Sequence, residues 1–129
     1  MSTRGIVVVK DKNNRKIIEM YNQMDSYPEG MGQDLQNFID SGKMVNGINL
    51  SETQRVFNGI DCFAAQLVAE MKDGAGGVYL NAPTKDYKNK KKYDEMYNAE
   101  YYYEINSDLK LKCWDTYKNK EINPTEVEE

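Results

Sequence analysis

A chain of 129 residues with 40% hydrophobic and 29% charged residues has the size of one domain and can remove roughly two-thirds of its unfolded surface from water. It contains no histidine, which excludes Ser-His-Asp and Cys-His nucleophile activation, histidine-ligated metals and imidazole proton shuttles. A net charge of −4 and a pI near 5.0 repel polyanions on average and argue against general nucleic-acid binding.

The start, "MSTRGIVVVKDK", has one arginine and then only five apolar or glycine residues before Lys10. This is too short for a signal-peptide core or a membrane span, so a cytoplasmic protein is expected. Residues 6–10, "IVVVK", form a β-branched run, "RKIIEMYNQ" from Arg15 is a second strand, and "DKNN" between them has the polar turn residues of a hairpin. Four successive apolar positions place the first strand inside the sheet, covered on both faces.

After Pro28 the period changes. Met31, Leu35, Phe38 and Ile39 recur at helical spacing, and Gly42 fits a helix stop. "KMVNGINL" follows as a loop or short strand. "SETQ" at residues 51–54 matches a capping box and predicts a short helix carrying Val56 and Phe57. In "NGIDCFAAQLVAEMKDG" the residues Ile60, Phe63, Ala64, Leu67, Val68 and Met71 line one face of the clearest helix, which Gly74 ends. Ala64, Ala65 and Ala69 would let that helix lie close against a neighbour.

"GGVYL" at 76–80 is a strand, and "YYYEI" with "LKLKCW" a hairpin across "NSD", with Leu109, Leu111 and Cys113 alternating with Lys110 and Lys112. "YDEMYNAE" between them suggests a helical turn. The lysine run "KDYKNKKKY" and the close "EINPTEVEE", with four glutamates, read as a solvated loop and an acidic tail. The expected architecture is a single α+β domain over residues 1–121, a mainly antiparallel sheet with two or three helices packed on one face, followed by a disordered acidic tail at 122–129.

No stretch carries a catalytic signature. Cys62 and Cys113 belong to no CxxC pair, so they read as buried reduced thiols, with neither a disulfide framework nor a zinc site. The stretch "MDSYPEGMGQDL" at 24–35 stands where a strand gives way to a helix, and two readings of it are open. One is a turn whose proline and glycines serve backbone geometry. The other is a binding site for an anion, with the helix N-terminus and Gly30 and Gly32 approaching the ligand and Tyr27 stacking on a ring beside it. Asp25, Glu29 and Asp34 already bring negative charge to the helix start, which weighs against the second. Arg4 and Arg55 are the better candidates for a guanidinium clamp, and Arg15 reads as solvated. Asp25, Glu29 and Asp61 could serve a metal-dependent hydrolase, although their spacing does not require it. The tyrosine cluster at 101–103 reads as strand packing more readily than as base stacking.

The segments "MSTRG", "YNQMDSYPEGMG", "VNGI", "NGIDCFAAQLVAEM" and "GGVYL" resemble a family of small proteins of phages, prophages and bacteria. That family carries a DGYPEG core, where this chain has Ser26 at the first glycine, and a GxxCxAAQ helix. The likeness spans residues 1–80. It implies context rather than activity: a small phage protein acting on host defence.

The expected function is a non-enzymatic counter-defence protein that sequesters a small anionic nucleotide-like signal, with Arg4, Asp25, Tyr27, Gly30, Met31, Gly32 and Arg55 as ligand-binding residues. The alternative is an inhibitor of a host defence protein using the Tyr- and Lys-rich region 85–104, and a hydrolase using Asp25 and Glu29 comes third. No cofactor, resident metal or membrane is expected, the location is the host cytoplasm, and homo-oligomerisation is compatible with either binding role.

Overall fold

The computed structural model of the protein describes residues 3–47, 55–81, 99–116, 118 and 120–124. Its centre is β1 (Gly5–Lys10), every residue of which is buried. It pairs antiparallel with β2 (Lys16–Asn22) and parallel with β6 (Tyr101–Ile105). The Asp11 carboxylate makes the hairpin turn by accepting the N–H groups of Asn13 and Arg15, both at 2.9 Å. The Arg15 N–H is also the leading reason that the Asp11 carboxyl sits below its usual range.

Six strands lie in the order β5-β2-β1-β6-β7-β8, with β5 at Val78–Asn81, β7 at Leu111–Asp115 and β8 at Lys120–Ile122. Apart from the β1/β6 pair, all neighbours are antiparallel. The α+β class and the mainly antiparallel sheet are therefore as expected. Because side chains alternate along a strand, β1 feeds two cores. Val7 and Val9 join Met20, Tyr103, Ile105 and Cys113 beneath the helices, whereas Ile6 and Val8 join Ala99 and Tyr102 on the other face, with Tyr21 and Trp114 packed against them.

Over the first of these faces lie α1 (Gln33–Asp40) and α2 (Gly59–Met71), with a small parallel ribbon of β3 (Gly42–Val45) and β4 (Arg55–Asn58). Met31, Leu35, Phe38 and Ile39 are buried, as their spacing predicts. Three phenylalanines tie these parts together. Phe57 meets Phe63 edge-on at 4.8 Å, and Phe38 lies 5.4 Å from Phe57 and 5.6 Å from Phe63, the tilted arrangement that ring quadrupoles favour.

Several expectations need correction. Val56 and Phe57 belong to strand β4, not a helix; a β-branched and an aromatic residue fit the pleated ribbon, and Gln66 Nε2 donates to the Val56 carbonyl at 2.9 Å. The "SETQ" box and the "YDEMYN" turn lie outside the described residues. The helix stops at Asp40, just before Gly42, as expected, but Gly42 takes no left-handed cap conformation and opens β3, where a Cβ would lie 2.9 Å from the Arg55 carbonyl oxygen. On α2 only Ala64 is buried, while Ala65 and Ala69 face outward. Leu109 sits in the β6–β7 turn at φ 59° and not in the strand. Ile122 pairs with Cys113 in β8, so the folded unit passes the expected boundary at 121.

Cys113 is buried and Cys62 half-buried. Burial pushes the Cys113 thiol up from 9.0 to about 12, with its side-chain contact to Tyr103 partly opposing it. Iodoacetamide at pH 8 should therefore alkylate Cys62 first and leave Cys113 unmodified until unfolding, as read by peptide mass spectrometry. A thiol whose folded pKa is raised adds stability that is complete below pH 9 and is lost as pH rises from about 9 through about 12. The urea midpoint should fall across that window, and less so in Cys113→Ala.

Candidate functional site

The junction between β2 and α1 is a network of buried polar contacts. Asn22, the last residue of β2, donates from Nδ2 to the Met24 carbonyl at 2.6 Å and to Ser26 Oγ at 2.9 Å. Ser26 is fully buried; its N–H donates to the Thr3 carbonyl at 3.0 Å, and its own carbonyl accepts from the Tyr103 hydroxyl at 2.6 Å. Asp25 takes a left-handed backbone at φ 59° to make the bend, a conformation that aspartate tolerates better than most residues. The chain then enters a π-helical turn, Pro28–Gly32, in which the Tyr27 carbonyl accepts the N–H groups of Gly30 and Met31 at 3.0 and 2.9 Å.

Each glycine of the turn has a packing reason. A Cβ on Gly30 would lie 2.9 Å from the Tyr27 ring, and one on Gly32 would lie 1.6 Å from the carbonyl oxygen of Pro124. Tyr27 thus covers Gly30, and the segment after β8 lies directly on Gly32. Neither glycine faces a ligand space, so for these positions the turn reading is the one the geometry carries.

Beside the junction lies an open cleft of about 750 Å³, within the size range of ligand sites. Of the seven expected site residues, it brings together Asp25, Met31 and Arg55; Arg4, Tyr27, Gly30 and Gly32 are not among the residues lining it. Arg4 precedes β1, where its carbonyl accepts the N–H of Glu100 at 2.8 Å. Four carboxylates line the cleft, Asp25, Asp34, Glu70 and Asp73, against the single guanidinium of Arg55. That guanidinium is engaged: it lies 3.4 Å from Glu70 and 4.9 Å above the Phe38 ring. Met31, Phe38 and Met71 supply apolar wall, with Met24 exposed beside them.

Glu70 and Asp73 escaped the sequence reading, yet a signal for them exists. They stand at the C-terminal end of α2, where the helix dipole disfavours negative charge and where the last turn has no basic residue. Lys72 does not compensate them; its Nζ donates to the Gly76 and Val78 carbonyls at 2.9 and 2.6 Å, holding the return into β5. Among the described residues no group of three or more Cys, Asp or Glu is gathered as for a metal, and Asp61 is an exposed first-turn residue of α2, away from the cleft. No helix among them is long and apolar enough to cross a membrane.

No known protein family, curated protein or solved structure matches the chain.

Gly32→Ala should destabilise the fold by about 1–3 kcal/mol through overpacking against the Pro124 backbone, measured by urea denaturation. Ending the chain at Asn123 should remove most of that cost, because the clashing carbonyl is then gone; an undiminished cost would place the clash elsewhere.

Proposed function

We propose that the protein acts by binding and not by catalysis, and that its acidic cleft captures a cationic group presented by a protein partner. The observation that carries this reading is the charge of the cleft. Four carboxylates and one arginine line about 750 Å³ of open space; Arg55 pairs with Glu70 and lies over Phe38, which leaves Asp25, Asp34 and Asp73 as the charge in excess. Such a field attracts lysine and arginine side chains and opposes phosphate. Methionines and a phenylalanine in the walls suit the aliphatic stem behind such a charge.

The resemblance of residues 1–80 to small phage proteins supports a counter-defence setting, with a host defence effector in the host cytoplasm as the partner. The inhibitor reading thereby moves ahead of capture of an anionic nucleotide-like signal. Of the Tyr- and Lys-rich region that the sequence offers for the partner contact, residues 101–104 belong to β6, and residues 85–98 lie outside the described residues.

Calorimetric titration with a short arginine-containing peptide, and in parallel with a cyclic nucleotide and ADP-ribose, tests the choice. The peptide should bind with an affinity that falls steeply as salt is raised, since exposed charges are screened over about 10 Å at 0.1 M. Asp34→Asn with Asp73→Asn should weaken it roughly ten-fold, the equivalent of about 1.4 kcal/mol, with an unchanged circular dichroism spectrum. Saturable nucleotide binding without peptide binding would reverse the order of the two readings.

A further inference from the structure

The parallel pairing of β1 with β6 brings the carboxyl ends of both strands to one edge of the sheet, so their two hairpin turns stand side by side. Between the turns is a second hollow of about 140 Å³, lined by Lys10, Asn14, Glu104, Asn106, Lys110 and Lys112. It shares no residue with the acidic cleft.

Lys10 and Glu104 form an ion pair at this hollow, with side chains only 8% and 18% exposed, and they cancel each other's charge. The charge left over comes from Lys110 and Lys112, neither of which makes an ion pair among the described residues. Asn106 is oriented by its turn: its Oδ1 accepts the N–H groups of Asp108 and Lys110, both at 3.0 Å. The acceptor end of this carboxamide is therefore occupied, and its two N–H donors are what it can offer to a ligand. Asn14, from the other turn at φ 63°, adds a second carboxamide.

We propose that this hollow is an oxyanion site, and that its ligand is the terminal phosphate of a small phosphorylated molecule. Two uncompensated ammonium groups match a dianion, and carboxamide N–H groups supply directional donors to its oxygens. Size narrows the class further. At about 140 Å³ the hollow is well below the roughly 300–1,000 Å³ of clefts that bury a drug-sized ligand, so it suits one tetrahedral oxyanion and a nucleoside would lie outside it. The proposal is independent of the cleft, and its failure would leave the reading of the cleft untouched.

The test is a titration of the isotopically labelled full chain, followed by amide NMR, with inorganic phosphate at constant ionic strength balanced by chloride. Adenosine monophosphate and acetate serve as parallel arms. Phosphate should give saturable shifts confined to residues 10–14 and 104–112. The monophosphate should reproduce them, and acetate should bind more weakly. Lys110→Ala with Lys112→Ala, both at exposed positions, should weaken phosphate roughly ten-fold or more, the loss of about one charge-assisted hydrogen bond. Shifts that fail to saturate, that chloride alone reproduces, or that persist with equal affinity in the double variant would overturn the assignment.

Discussion

The Tyr103 hydroxyl donates to the Ser26 carbonyl at 2.6 Å, across 77 positions of sequence, in a fully buried setting. A hydrogen bond that spans this distance in the chain fixes the junction to the middle of the sheet, since Tyr103 is paired with Val7 on one side and Cys113 on the other. Burial, above all other causes, pushes the tyrosine hydroxyl up, which favours its protonated, donating form. The position of the π-helical turn follows from this contact, and α1 follows from the turn. That anchor acts together with the core packing of Met31, Leu35 and Phe38 to set the height of α1 above the sheet, and so the place of Asp25 and Asp34 beside Arg55.

The molecule also separates its charges along the strands. At the end where β2 finishes and α1 begins, four carboxylates gather around the cleft. At the opposite end, where β1 and β6 finish, three lysines stand against one glutamate. A net charge of −4 over the whole chain hides this arrangement, because it averages two surfaces of opposite sign. Orientation of an approaching partner is the physical effect such a separation produces, and it acts before any contact is made.

Legibility differed by level. The β1–β2 hairpin, the burial of "IVVV" on both faces and the face of α2 were read from period and turn residues alone, because local pattern and tertiary role agree there. Phe57 was misplaced because "SETQ" is a helix-start pattern, while the chain after it obeys its pairing with β3 and its packing on Phe63. The junction stood out in sequence, but its glycines owe their presence to Tyr27 and to Pro124, the latter far along the chain. The carboxylates of the cleft come from α1, α2 and the loops beside them. No spacing rule joins residues that only the fold brings together. Lys110 and Lys112 read as the solvated face of one strand, whereas only Lys112 lies in β7 and Lys110 belongs to the turn before it; that both line a hollow with Asn14 depends on a turn between β1 and β2.

The parallel pairing of β1 with β6 has a consequence for biosynthesis. Its two strands come from opposite ends of the chain, and joining them requires closure of a long loop, which slows folding in proportion to the non-local character of the contact. During translation β1 can form its hairpin with β2 as soon as Asn22 emerges. Its other edge, the most apolar segment of the molecule, then stands open until Tyr101–Ile105 has left the ribosome. An unpaired β-branched edge is a template for strands of other chains. Arrival of the C-terminal part is what closes that edge.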